Sequence, residues 1–199
     1  MFEPGKMSHS LELGKVVDQN KKIHPHKFTL WVGIASIIMM FAGLTSAYLV
    51  KREQPGWTSF QVPLAFWYST AVILTSSLTM HISLKSFRER SMIKYKKLIG
   101  LTAMLGLLFM SLQYLGFRHL WAAGMVLRGS GAAQFLYIIA GLHALHVLGG
   151  VIALLTLFMR SRNTRIRSYN VVPVEVVATY WHFVDLLWIY LFIFFLCVQ

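Results

Sequence analysis

Five long apolar runs are separated by short stretches that hold almost all the charged residues. The runs extend from Phe28 to Val50, Pro63 to Leu84, Leu98 to Phe117, Ala132 to Met159 and Val174 to Val198. The first four contain no Asp, Glu, Lys or Arg, and the fifth holds only Glu175 and Asp185. A helical residue rises about 1.5 Å and the hydrocarbon core of a bilayer is roughly 30 Å thick, so about 20 apolar residues cross it. The pattern therefore predicts an all-α integral membrane bundle of five transmembrane helices. At 28 residues the fourth run is longer than a perpendicular crossing needs, so it is expected to tilt or to project past the lipid. The first run exceeds the roughly 7 to 15 residues of a signal-peptide apolar region, and no small-x-small cleavage site follows it, so it is expected to be retained. The domain reading is a polar N-terminal segment, 1–27, followed by one transmembrane domain, 28–199, with connecting loops of about 12 to 14 residues.

Composition agrees with burial in lipid. The chain is 56% hydrophobic and only 13% charged, with a mean hydropathy of +0.59. Soluble domains carry about 25% charged residues. The balance of 19 Lys and Arg against 7 Asp and Glu does not call for a nucleic-acid partner, because basic residues gather in the cytoplasmic loops of membrane proteins. With the N-terminus cytoplasmic, fifteen basic residues fall inside: Lys6, Lys15, Lys21, Lys22, Lys27, Lys85, Arg88, Arg90, Lys94, Lys96, Lys97, Arg160, Arg162, Arg165 and Arg167. Only Lys51, Arg52, Arg118 and Arg128 fall outside. The count places the N-terminus in the cytoplasm and the C-terminus in the periplasm. These basic runs are read as solvated loops that anchor helix ends at anionic lipid. Cys197, the single cysteine, excludes an internal disulfide and is expected to be a buried thiol with no metal role.

The candidate chemistry lies in the last two runs. Ionisable groups in a membrane cost a few kcal/mol or more and turn toward protein or water. The fourth run contains Gly141-Leu142-His143-Ala144-Leu145-His146-Val147-Leu148-Gly149-Gly150, and the fifth contains Glu175 and then Tyr180-Trp181-His182-Phe183-Val184-Asp185. At about 100° per residue Glu175, His182 and Asp185 share one helix face. His146 and Asp185 are each thirteen residues from the cytoplasmic end of their run, so antiparallel neighbours bring them level. A hydrogen bond or ion pair between Asp185 and His146 or His143 is expected, with Gly149 and Gly150 letting the backbones approach opposite His182. Glu175 starts its helix, where the dipole favours a carboxylate, close to the loop around Arg165 and Arg167. His143, His146, Glu175, His182 and Asp185 are thus read as an intramembrane polar cluster of structural character, with no catalytic, cofactor or metal ligand among them. Gln113 is read as an interhelical hydrogen-bond donor and His81 as interfacial. The small residues Gly33, Ala35, Ser36, Ala42, Gly43, Ser46 and Ala47 fit either a close helix contact or ordinary packing within the bundle.

The Gly141–Val147 run with Gly149, Glu175 and the Tyr-Trp-His-Phe-Val-Asp stretch at 180–185 resembles subunit III of the haem-copper terminal oxidases. The two motifs stand in the order and spacing of that family, on consecutive runs. Weaker similarity extends through Leu112-Gln113, Pro63, Thr75-Ser76-Ser77, His81, Ser36 and Phe41-Ala42-Gly43, over about residues 28–198. The chain is similar to the five-span bacterial form of the subunit, which lacks the first two of the seven mitochondrial spans. One departure is Ile37, where the family usually places a carboxylate, so a proton-related role there is not carried over.

The resemblance implies a non-redox subunit of a bacterial cytochrome c oxidase in the cytoplasmic membrane. It would stabilise the catalytic subunit I by direct contact, support proton uptake, and assemble with subunit II and a small subunit IV. Haem and copper would sit on partner subunits, structural phospholipid would be bound, and cytochrome c would donate electrons to the complex for oxygen reduction to water. A quinol oxidase subunit III is the alternative within the family. A small transporter or a haem-carrying membrane anchor are alternatives of other classes, and five spans that cannot halve weaken the transporter.

Overall fold

The computed structural model describes residues 25–53, 63–122, 124, 131–162 and 170–198. Five helices follow in order: α1 Pro25–Arg52, α2 Leu64–Arg88, α3 Met92–Ala122, α4 Gly131–Arg162 and α5 Val172–Cys197. The fold is an all-α bundle. Each helix outruns its apolar run, most of all α3, which begins at Met92 and carries Lys94, Lys96 and Lys97 in its first two turns. A backbone entering lipid must bond internally, so the helix starts before the apolar residues do, and long lysine stems carry their charge back toward water. Between α2 and α3 the expected loop of 12 to 14 residues shrinks to Glu89–Ser91. The chain reverses there with Arg90 in the left-handed region at φ 59°, while the Ser91 amide donates to the Ser86 carbonyl at 3.0 Å. Arg165, Arg167 and most of the N-terminal segment lie outside the described residues.

Among the described residues four helices are long and apolar enough to cross a membrane: Lys27–Arg52, Met92–Ala122, Ala133–Arg162 and Val172–Cys197. α2 falls short because eight of its 25 residues are Ser or Thr. Their placement explains the composition. Ser69, Ser76, Thr79, Ser83 and Ser86 are buried on one stripe with Phe66, Ile73 and Met80, and this stripe packs along α3 over its whole length. Small hydroxyl residues let two membrane helices approach closely and bond across the seam. Thr79 Oγ1 and Thr102 Oγ1 are 2.9 Å apart, and Gln113 Nε2 donates to Ser69 Oγ at 2.8 Å. Gln113 is therefore the interhelical donor its sequence position suggested. Tall apolar residues on the opposite faces, among them Leu78, Ile93, Met104 and Ile152, point outward as a lipid-facing surface requires.

α5 holds the bundle together. Among the described residues it lies against α1, α2 and α4, while the backbone of α1 comes close to those of α4 and α5 and not to that of α2. The buried face of α1 is narrow: Ile34, Phe41, Thr45 and Tyr48. The small residues Gly33, Ala35, Ser36, Ala42, Gly43, Ser46 and Ala47 are all exposed on the other side, and nothing lies within 4 Å of where a side chain at Gly33 or Gly43 would begin. Packing within the bundle thus does not account for them. Cys197 is exposed, against expectation. Phe195 and Val198 beside it are buried, so in the last turn of α5 the neighbours of Cys197 rather than the thiol itself face the bundle.

Candidate functional site

The polar residues of α4 and α5 meet an interior built around two tryptophans. Trp181 is fully buried. Its ring fills the notch left by two glycines: a Cβ at Gly106 of α3 would stand 2.8 Å from Trp181 Cη2, and one at Gly150 of α4 would stand 2.9 Å from Cε3. The indole N–H donates to Ser76 Oγ of α2 at 3.2 Å. The glycine pair of α4 does permit close approach, but the residue it admits is Trp181 rather than His182. Two turns on, Trp188 donates to Thr70 Oγ1 at 3.0 Å and its ring meets Phe66, Phe109 and His143 at centroid separations of 5.8, 5.3 and 5.3 Å.

His143 is buried among rings, with Phe41 at 6.5 Å and Phe109 at 6.3 Å completing the enclosure begun by Trp188. Neither ring nitrogen has a hydrogen-bond partner among the described residues. His146 is half-buried and turns back on its own helix, where Nδ1 lies 2.7 Å from the Leu142 carbonyl oxygen. That oxygen only accepts, so the proton sits on Nδ1. The His146 carbonyl in turn accepts from the Tyr180 hydroxyl at 3.1 Å. His182 Nδ1 and Ser77 Oγ are 2.6 Å apart, and the exposed His81 ring stands 6.3 Å from that of His182.

Asp185 is 3% exposed. Ser77 is alongside it, but the Ser77 hydroxyl is engaged with His182 and neither carboxyl oxygen of Asp185 finds a partner within hydrogen-bonding geometry. The expected bond from Asp185 to His143 or His146 does not form. Counting residues from the helix ends gives depth alone, and the rotation of α4 turns His143 onto Trp188 and His146 onto Leu142. The five sequence candidates therefore do not converge.

Glu175 stands apart, at the end of the bundle where α2 turns into α3. Its carboxylate takes Lys27 Nζ of α1 at 2.7 Å and Arg88 Nη2 of α2 at 2.8 Å, joining three helices. Sequence reasoning looked to Arg165 and Arg167 for these cations. The partners belong to remote helices whose ends happen to stand at the same level, a relation that no local spacing signals.

No group of three His, Cys, Asp or Glu side chains converges among the described residues.

The sequence profile of cytochrome c oxidase subunit III matches residues 26–198, which takes in the five helices but for Pro25. The chain belongs to the cytochrome c oxidase subunit III family. It is 32% identical over 167 residues to a probable cytochrome c oxidase subunit 3 of Nocardia farcinica, covering 81% of this chain and 82% of that protein. It is 30% identical over 167 residues to cytochrome c oxidase subunit 3 of Bacillus sp. strain PS3, covering 81% and 80%. The Bacillus subtilis protein of the same name is 29% identical over 168 residues, covering 81% of each. A subunit III with four span-capable helices is a multi-pass membrane protein of an oxidase assembly.

Proposed function

We propose that the chain is the non-redox scaffold subunit of a bacterial cytochrome c oxidase, crossing the cytoplasmic membrane five times with its N-terminus inside. It packs against the catalytic subunit I, with subunit II and a small subunit IV in the same complex, and supports proton uptake there. The complex takes electrons from cytochrome c and reduces oxygen to water, and haem and copper supply that chemistry on the partner subunits. The observation that carries the reading is the enclosure of His143 by Phe41, Phe109 and Trp188. His143, one of the motif residues on which the resemblance rests, is packed by α4 against rings of α1, α3 and α5 rather than offered to a substrate.

Two further features support it. α2 has eight Ser and Thr, but five of them turn inward onto α3, so its outer face is apolar enough to serve as a fifth crossing. The exposed small-residue face of α1 is the kind of surface on which membrane helices make close contact, and it is assigned to subunit I. The relatives named above are cytochrome c rather than quinol oxidases by their descriptions, which favours cytochrome c as donor. Tagging the chain, purifying in mild detergent, and assigning haem and companions by optical spectrum and mass spectrometry tests the proposal.

A further inference from the structure

Asp185 lies about 15 Å along α5 from Glu175, roughly half the thickness of a hydrocarbon core. It is buried, and among the described residues both carboxyl oxygens lack a partner. A charge left unpaired at such a depth is costly, and one proton on the carboxyl removes it. A neutral carboxyl has an O–H to give. The polar group alongside it is the Ser77 hydroxyl.

Ser77 differs from the other hydroxyls that α2 turns toward α5. Thr70 donates to the Phe66 carbonyl and accepts from Trp188, and Ser76 donates to the Thr102 carbonyl and accepts from Trp181. Those protons are held by the backbone. Ser77 Oγ instead meets His182 Nδ1 at 2.6 Å, so its proton faces a base. His81, exposed and one turn nearer Arg88 on α2, holds its ring 6.3 Å from that of His182. Thr179, a turn before His182, lines a cavity of about 280 Å³ together with Lys27, Arg88 and Glu175. Charged walls and room for roughly nine waters at about 30 Å³ each make this a wet space. Polar groups thus recur at every turn from the cavity to Asp185, and there the row stops. The next residues on that side of α5, Trp188 and Phe192, are buried rings. No side chain ionises between Lys27 and Tyr48 of α1 or between Lys97 and Tyr114 of α3. On α4, His143 faces Trp188 and His146 the Leu142 carbonyl. That leaves His81 and His182 as the ionisable groups beside Asp185.

We propose that Asp185 is a one-sided proton-binding site, loaded and unloaded from the cavity end through Ser77, His182 and His81. A turn of the Asp185 side chain brings its O–H onto Ser77. In unloading, the Asp185 proton passes to Ser77 Oγ as the Ser77 hydroxyl proton passes to His182 Nδ1. His182 then releases its Nε2 proton to His81 or to water, which leaves a carboxylate and a neutral ring. Loading runs the same steps in reverse. The site gives the proton-uptake role proposed above a place on this chain, and it rests on the membrane placement rather than on contact with subunit I.

The test uses the intact complex purified through a tag on this chain, followed by infrared difference spectroscopy after transfer into heavy water. The protonated carboxyl should give a carbonyl stretch that is absent in Asp185→Asn and that shifts as deuterium replaces the proton. Ser77→Ala and His182→Gln should each keep the band and slow its shift about a hundredfold, the low end of what one positioned proton carrier contributes. A role in packing alone would give the opposite sign, because a loosened seam opens more often and exchanges faster. An unaltered carbonyl region in Asp185→Asn would overturn the proposal, as would exchange at the native rate or faster in Ser77→Ala with a normal thermal melt. The same band and exchange in a chain that purifies without haem subunits would refute the oxidase role and leave this site standing.

Discussion

Trp181 occupies the space that a side chain at Gly106 would need, with 2.8 Å left between a Cβ there and the indole Cη2. The same ring closes on Gly150 of α4 and bonds Ser76 of α2, so one residue of α5 ties three other helices together. An aromatic ring held on two sides has nowhere to retreat. Gly106→Ala and Gly150→Ala should each destabilise the chain by about 1–3 kcal/mol, the usual cost of overpacking. Gly43→Ala, with open space around it, should cost far less. Thermal melts of the purified protein in one detergent check the ranking.

Among the described residues Asp185 has no hydrogen-bond partner for either oxygen. Breaking a buried ion pair costs about 3–5 kcal/mol, whereas replacing a carboxylate that pairs with nothing costs little. Asp185→Asn should therefore change stability by less than about 1 kcal/mol, and Asp185→Leu should not destabilise. A loss of several kcal/mol in either melt would show that Asp185 is paired.

The Gln113–Ser69 bond crosses from α3 to α2 at 2.8 Å. Interhelical hydrogen bonds in membranes average about 0.6 kcal/mol in double-mutant cycles. The cycle of Gln113→Leu with Ser69→Ala should return a coupling of that size. A coupling near zero would mean that the seam holds by close packing alone.

Gln113 and the histidines of α4 show what the sequence made legible and where it stopped. A lone amide in an apolar run must find a partner in a helix bundle, though that the partner is Ser69 of α2 came from the structure. The five helices were equally plain, because runs of 20 or more apolar residues have few other uses. Rotation about the helix axis was not. Depth counting set Asp185 level with His146, yet the side chains face different neighbours, because Trp181 and Trp188 claim the interior between them. The notch for Trp181 draws on Gly106 and Gly150, residues of two helices 44 positions apart in sequence, and no period connects them. Glu175 posed the same difficulty: its dipole setting was readable, but Lys27 and Arg88 came to it through tertiary packing.

On α1, Gly43 and Ala42 look outward into open space. If that face meets subunit I, Ala42→Leu or Gly43→Leu should leave the melt of the isolated chain within about 0.5 kcal/mol, as for surface changes elsewhere. The same variants should reduce the amount of catalytic subunit that copurifies. Unaltered copurification would move the contact to another face.

The most direct measurement is tag purification of this chain from its native membrane in mild detergent, followed by the optical spectrum and mass spectrometry of its companions, alongside the same chain expressed alone. Haem-bearing subunit I should accompany the native preparation while the chain expressed alone shows no haem absorbance. Haem bound by the isolated chain, or a native preparation free of oxidase subunits, would contradict a scaffold that brings no redox centre of its own.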